Sequence, residues 1–591
     1  MKELEYPFDS DYILKKKKSL KKQLLEKENF IEKNIAILGG STTSDIKLIL
    51  ELFLLNQGIK PKFYESEYNQ YYQDAMFPNS ELEEFKPDII YIHTTNRNIT
   101  TYPKINNTKE EVEKLIENEY NKFTNMWNRL SRIYKCPIIQ NNFELPYYRL
   151  MGNKEASDYR GKVNFITKLN LKFYEYAENY ENFYINDINY VSASYGLEKW
   201  ADQFYWHMYK YALAVPAIPT LAFNISNIIK AIFGKNKKAF VLDLDNTLWG
   251  GIVGDDGVEN IKIGPEVPSG QVFSEFQGYL KEHKDLGIIL NVNSKNEKEN
   301  AIAGLNHPDG LLKPEDFIII KANWDPKSKN IVEIANELSI GVDSLVFVDD
   351  NPAEREIVKQ QVNGVAIPEI DIPEHYINIL DKSGFFEVTT ISKDDIKKNE
   401  MYKENAKRNE MLNSFSNYDD YLKSLEMKAT IKPFETIYMA RIAQLTNKSN
   451  QFNLTTHRYT QSEIEEVAND KNYITLYGKL EDTFGDNGVV TVVIGHIEEK
   501  ILHIDLWLMS CRVLKRDMEF AMMDSLVKKA KEIGITSIKG YYYPTPKNGM
   551  VKEFYGLQGF TKENEDEQGN SIWNLNLKEY KNKNKFIEVE E

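Results

Sequence analysis

An uninterrupted apolar run, Ala239-Phe240-Val241-Leu242, empties directly into Asp243-Leu244-Asp245-Asn246-Thr247. Consecutive apolar residues bounded by polar ones read as a strand buried on both faces, the way strands of parallel sheets are built. In such a sheet the residues that meet a ligand stand at the carboxyl ends of the strands. Two carboxylates two residues apart at that end suit phosphoryl transfer. Asp243 can attack phosphorus, and Asp245 can give or take a proton. Two carboxylates beside one phosphoryl group repel it, so a hard divalent cation is required, and Mg²⁺ with oxygen ligands fits.

Three further apolar runs support the same sheet. The run 287–292 ends in Asn293-Ser294, a hydroxyl placed to hold a phosphate oxygen. The run 317–320 is followed by Trp324-Asp325-Pro326 and then Lys327, which can neutralise the transition state, with Lys329 as its rival. The run 344–348 ends in Asp349-Asp350-Asn351, an acidic pair suited to the metal.

At 591 residues the chain is too long for one hydrophobic core, and its linkers separate three α/β-type regions. We expect domains over 1–229, 235–372 and 385–582. In the first, apolar strands 34–38, 88–93 and 136–139 end in polar loops and alternate with helical patterns such as 45–56, which predicts a doubly wound sheet. In the third, strands are expected at 489–494 and 501–509, beside a charged helical stretch at 397–425. A helix over 518–533 is expected to bury Met518, Met522, Leu526, Ala530 and Ile533. The last four residues read as a frayed tail.

Lys+Arg 74 against Asp+Glu 89 gives a formal charge of −15, and no long basic stripe offsets it, so a nucleic-acid partner is not expected. The Lys15–Lys18 run reads as the solvated face of a helix. No uninterrupted 18-residue apolar run and no signal-peptide pattern are apparent, which points to a cytoplasmic protein with no membrane span. Two cysteines, Cys136 and Cys511, cannot make a disulfide framework.

The order of these motifs resembles the haloacid-dehalogenase (HAD) superfamily. The stretch 241–257 and Asp349-Asp350-Asn351-Pro352-Ala353-Glu354-Arg355 are similar to the signatures of FkbH-like proteins. The resemblance implies Asp243 as nucleophile, Asp245 as acid/base, and Thr247, Ser294 and Lys327 around the phosphate. It also implies Mg²⁺ on Asp243, the Asp245 carbonyl and Asp349, with Asp350 nearby. The short run 249–257 leaves little space for a cap, so a phosphate on a bulky or protein-bound group could enter.

The C-terminal region resembles the GNAT acetyltransferase fold, although Leu514-Lys515-Arg516-Asp517 stands where that fold has a glycine-rich turn. FkbH-like proteins carry stretches similar to Thr446–Arg458, which holds Asn447, Asn450, Asn453 and His457, and to Met509-Ser510-Cys511-Arg512-Val513-Leu514. Cys511, beside Arg512 and at or just before an expected helix start, is a candidate thiolate to carry an acyl group. His457 is its candidate base, and Arg512 and the three asparagines are candidate substrate-binding residues. His503, eight residues from Cys511 on one strand, is too far away to serve.

The N-terminal region resembles the SGNH-hydrolase fold. Ser41 in Gly39-Gly40-Ser41 is a candidate nucleophile, Asn96 an oxyanion donor, and Asp202 and His207 its partners. The spacing of Asp202 and His207 departs from the Asp-x-x-His pattern of that fold, so the alternative is a binding or docking domain whose Gly-Gly-Ser turn holds a phosphate or a substrate oxygen.

FkbH-like proteins take the glyceryl group of 1,3-bisphosphoglycerate, remove its phosphate and load it on an acyl-carrier-protein thiol. The expectation for this chain is that reaction, with the carrier's phosphopantetheine thiol as partner and a phosphorylated three-carbon acyl donor as substrate. A plain Mg²⁺ phosphomonoesterase whose flanking domains select substrate, and a carrier-binding scaffold, are the alternatives.

Overall fold

The computed structural model describes residues 1–27, 30–412, 414–545 and 547–590. The chain forms two compact units, Met1–Ile232 and Phe233–Glu591, so the second and third expected regions share one body.

The first unit is built on five parallel strands, β1 (Ile31–Gly39), β2 (Ile59–Glu65), β3 (Ile89–His93), β4 (Ile138–Asn141) and β5 (Phe183–Asn186). Their order is β2-β1-β3-β4-β5, which puts the topological switch between β1 and β3. Sequence patterning did not reveal β2 or β5. The residues of β2 are broken by Pro61 and alternate with lysines, because it is an edge strand. Helix Ser10–Leu25 turns its lysines outward; Lys17 reaches Asp45 at 2.7 Å. The segment Val215–Ile232 is the one described helix long and apolar enough to cross a membrane. Two-thirds of it is buried, and its helical part, Ile218–Ile232, packs on helix Ser44–Asn56, as a core helix of this unit does.

The second unit holds two sheets. Strands β6 (Ala239–Leu242), β7 (Ile289–Ser294), β8 (Ile319–Ala322) and β9 (Leu345–Val348) are all parallel in the order β8-β7-β6-β9. All four residues of β6 are fully buried, with Phe240 and Leu242 packed into one layer of helices and Ala239 and Val241 into the other. That two-sided burial is why the run lacks alternation.

The larger sheet runs β16-β17-β15-β14-β13-β12-β10-β18, with β11 (Phe452–Asn453) paired to β14 off that path. Here β10 is Lys428–Lys432, β12 Tyr473–Asp482, β13 Gly485–Glu498 and β14 Ile501–Met509. Then follow β15 (Ser537–Tyr542), β16 (Thr561–Glu565), β17 (Ser571–Asn576) and β18 (Glu588–Glu590). It is largely antiparallel, with the parallel pair β14–β15 inside it, the α+β arrangement the resemblance implied.

Two expectations need correction. Residues 588–590 are not a frayed tail but an edge strand, β18, lying parallel to Lys428–Thr430; Glu591 lies outside the described residues. Ile533 is not part of the buried face of helix Met518–Glu532. It follows the last turn and is 52% exposed, whereas Met518, Met522, Leu526 and Ala530 are sealed in the core.

Candidate active site

The chemistry of the second unit collects where β6, β7 and β9 end. Asp243 leaves β6 and donates its backbone N–H to Val348 O at 3.0 Å, which ties the loop to the end of β9. Lys327 is the first residue of helix Lys327–Glu337. Its Nζ lies 3.0 Å from Asp243 Oδ2 and 2.5 Å from Asp349 Oδ2, with all three side chains at least nine-tenths buried. The rival Lys329 faces solvent and pairs with Asp325 at 2.9 Å, so the two lysines are told apart by helix phase. Asn293 Nδ2 donates to Lys327 O at 3.0 Å, and Asn330 donates to Asn293 Oδ1, fixing the start of that helix against β7.

Asp245 is held differently. Its Oδ1 accepts from Trp249 Nε1 at 2.9 Å and from Val253 N at 3.0 Å, and its Oδ2 accepts from Asn296 Nδ2 at 2.8 Å. Burial, with the Asp243 charge adding to it, raises its pKa against those hydrogen bonds, which suits a group that must carry a proton. Burial and then Asp243 push Asp349 up to about 6 and also raise Asp350. Burial opposes the Lys327 charge, but Asp243 and Asp349 outweigh it and hold the ammonium protonated.

Thr247 is fully buried and braces the acidic loop, its Oγ1 accepting from Asp350 N at 3.2 Å. Arg355 donates to Asp349 O at 2.7 Å and Asp350 O at 2.8 Å, a brace that patterning did not single out. Ser294 is buried at the last position of β7.

One carboxylate oxygen from each of Asp243, Asp349 and Asp350 lies within 4.8 Å of the others. Asp243 Oδ1 is buried with no hydrogen-bond partner among the described residues. An orphaned buried carboxylate oxygen is costly unless something else meets it, so this donor set fits a hard cation or a phosphoryl group. The Asp245 side chain is turned to Trp249 and Asn296, which leaves only its main chain for a metal.

A HAD-like hydrolase superfamily protein of Schizosaccharomyces pombe is 32% identical over 162 residues, 24% of this chain and 90% of that protein. The chain belongs to the HAD-like hydrolase superfamily. A family model, "FkbH, N-terminal domain", matches residues 34–230, ahead of the HAD-type sheet, so the chain is an FkbH-like HAD protein. The crystallised N-terminal part of BF1531 from Bacteroides fragilis contains a phosphatase domain and was complexed with Mg. It is 30% identical, covers 63% of this chain and 99% of its own, and has a TM-score of 0.58. A GNAT-family acetyltransferase from Streptococcus pneumoniae matches at 16% identity and TM-score 0.22, over 25% of this chain and 99% of that one.

Elsewhere in this HAD protein the candidate residues divide. Cys511 opens the three-residue turn Cys511–Val513 after β14 and packs on the layer that buries Val241 and Tyr402. The register Phe452↔Met509 and Asn453↔Leu508 runs antiparallel, so residues after 453 move away from Cys511. Thr455 Oγ1 donates to Asp505 O at 2.6 Å, and Asp505 lies six residues before Cys511, about 20 Å along a strand. His457, stacked on Tyr459 at 4.4 Å, therefore does not meet Cys511, which corrects the expected pairing.

The amides of 446–458 serve their own loop. Asn447 Nδ2 donates to Ala443 O and Tyr459 O, and Asn450 Oδ1 accepts from Arg458. Asn453 accepts from Thr456 N and donates to Ser449 O. Arg512 Nε donates to Ser510 Oγ at 3.2 Å, and its guanidinium touches Met401.

In the first unit Ser41 is buried, and its Oγ is unpartnered among the described residues. Asn96 is bound to the 144–145 loop: its Nδ2 donates to Glu144 O and Leu145 O, both at 3.3 Å. Asp202 is the N-cap of helix Gln203–Tyr209, accepting from Phe204 N at 2.9 Å and Tyr205 N at 3.2 Å. His207 sits in the last turn of that helix. Two groups escaped the sequence reading, His93 at the end of β3 and Glu144. Burial pushes the His93 imidazole down to about 4 and the Glu144 carboxyl up to about 7. Neither lies in a motif, since only the fold brings β3 and the loop after β4 together.

Proposed function

We propose that this FkbH-like HAD protein is an Mg²⁺-dependent phosphatase and acyl transferase. It moves the glyceryl group of 1,3-bisphosphoglycerate to the phosphopantetheine thiol of an acyl carrier protein in the cytoplasm, with loss of the phosphate. The observation that carries the phosphatase step is the buried Asp243 Oδ1, without a hydrogen-bond partner among the described residues, beside an Asp245 whose pKa burial raises. Asp243 Oδ1 attacks phosphorus, the P–O ester bond breaks, and Asp245 protonates the leaving oxygen. Asp245 then removes a proton from the water that hydrolyses the aspartyl-phosphate. Lys327 holds Asp243 in place and offsets the charge gathering there. Mg²⁺, held by Asp243, Asp349, Asp350 and the Asp245 main chain, would supply the remaining neutralisation of the phosphoryl oxygens.

Intact mass spectrometry of the enzyme with a carrier protein, Mg²⁺ and 1,3-bisphosphoglycerate generated in place tests the whole reaction. A glyceryl mass on the carrier is expected from the wild type, and a phosphoglyceryl mass from Asp243→Asn. Phosphate release from small monoesters with no adduct on any protein would leave only the phosphomonoesterase. That second reading is favoured by the packing of Cys511 against the Tyr402 layer, away from His457.

A further inference from the structure

The C-terminal sheet carries a cavity of about 360 Å³, where Thr455, His457, His496, Asp505, Tyr541 and Tyr543 bring polar groups together beside Ile504. Its volume falls in the range of small-molecule sites. It forms where β14 and β15 part company. Their parallel pairing ends at Ile504↔Gly540, just before Asp505 and Tyr541.

Asp505 is the extra residue of a bulge in β14. Ile494 pairs with Leu506 and Gly495 with Ile504, leaving Asp505 without an opposite. The bulge reverses the strand's inside–outside order. Leu502 and Ile504 face the same core as Trp507 and Met509, while Leu506 and Leu508 face the other. Bulges re-aim side chains in this way beside active sites. Here the result is a dyad, His496 Nδ1 2.7 Å from Asp505 Oδ1. A carboxylate at Nδ1 fixes the tautomer and leaves Nε2 with its lone pair free.

A second pair stands behind the first. His503 stacks on His496 with centroids 4.8 Å apart and planes 13° from parallel, and its Nδ1 lies 2.7 Å from the Tyr541 hydroxyl. His496, Glu498 and His503 could be taken for metal ligands, since their ligand atoms come within 4.8 Å. Nearly parallel rings, however, direct their lone pairs side by side and not at one centre. Strand β11 and Leu454 bridge β14 and the chain beyond β15. Leu454 N donates to Trp507 O at 3.1 Å and Tyr543 N donates to Leu454 O at 2.9 Å.

We propose that this cavity is a second acid–base centre, in which His496, oriented by Asp505, deprotonates the thiol that accepts the acyl group. It rests on the transfer reading for its donor, an acyl phosphate. The S–H proton passes to His496 Nε2 as the S–C bond forms. The C–O bond to phosphate then breaks with its electron pair, and phosphate departs carrying the proton that His496 returns. His496 is the catalytic residue; Asp505 is a positioning residue.

The test uses the full chain with acetyl phosphate as donor and pantetheine as thiol, following thioester formation above the uncatalysed rate. His496→Gln is expected to lower it by about 10²–10³-fold. Asp505→Asn should lower kcat similarly with KM unchanged, and Asp505→Glu should restore part of it. Phosphate release from a small monoester, which depends on Asp243, stays within about twofold in every variant and reports that the fold is intact. If His496→Gln fails that check, added imidazole restoring His496→Ala gives the same answer. The proposal is overturned if the wild type forms no thioester, or if His496→Gln forms it undiminished. A His496-dependent pantetheine thioester, with a carrier protein that never gains a glyceryl group, would overturn the function proposed above and leave this centre standing.

Discussion

Lys327 Nζ stands 3.0 Å from Asp243 Oδ2, so one oxygen of the nucleophile is neutralised while the other, Oδ1, is buried with no partner among the described residues. The same ammonium reaches Asp349 Oδ2 at 2.5 Å. A single cation thus holds together two carboxylates that would otherwise repel, at the ends of two neighbouring strands.

Removing that cation exposes the repulsion. Lys327→Met is expected to lower stability by about 3 kcal/mol, the cost of leaving buried charges unpaired. Urea unfolding checks it, and added Mg²⁺ should recover more stability in the variant than in the wild type. A wild-type-like midpoint without metal would mean that the pair contributes nothing.

Asp243→Asn keeps the shape of the site and its contact with Lys327 but removes the nucleophile. Turnover of a small phosphomonoester should fall by at least about 10³-fold. Phosphate release assays at saturating Mg²⁺ measure it, and an unchanged midpoint in urea shows that the loss is chemical.

Gly304 lies in helix Lys298–Leu305 against the Trp249 ring, where a Cβ would come within 2.8 Å of it. Trp249 in turn donates to Asp245 Oδ1. Gly304→Ala is therefore expected to shift the acid/base group and cut kcat about tenfold with KM nearly unchanged. Steady-state kinetics separates this from a loss of binding.

Glu144 gives the first unit a pH dependence. Burial raises its folded pKa from the ordinary 4.5 to about 7, so the protonated carboxyl is the form the fold favours. Its contribution is fully present below about pH 4.5 and is lost as pH rises towards 7, because the unfolded chain ionises first. Glu144→Gln should flatten that slope and raise stability above pH 7 by about 1–3 kcal/mol. Thermal melts across pH 5–8 decide it, and parallel wild-type and variant curves would sink the assignment.

Asp202→Ala tests whether that carboxylate only caps its helix. A loss of about 1 kcal/mol, with carrier loading and phosphate release unchanged, is the expected result.

The sites nearest the sequence were the most legible. Strand β6 and the loop Asp243–Thr247 are contiguous, and an apolar run buried on both faces has a strong one-dimensional signature. Lys327 could be separated from Lys329 only by helix phase, which the chain does not display until Pro326 sets the first turn. Dyads such as His496–Asp505 could not be found by spacing, because they depend on a hairpin register and a one-residue bulge. The same is true of Cys511 and His457, which lie in similarly distinctive stretches and are parted by the antiparallel course of β11. Strands β2 and β5 were invisible because edge strands need not be apolar on both sides.

Helix Lys398–Leu412 belongs to two cores at once. Tyr402 is sealed among Ala239, Val241 and Phe347 of the HAD-type layer. Two turns on, Arg408 is buried against Asp482 of β12, donating to both of its carboxylate oxygens at 2.8 and 2.7 Å. Such a helix works as a shared axle, on which neither half can loosen without loading the other. Recombining the phosphatase half with a foreign C-terminal half would mean choosing which core forfeits its side of the helix, so the two halves are heritable as one piece.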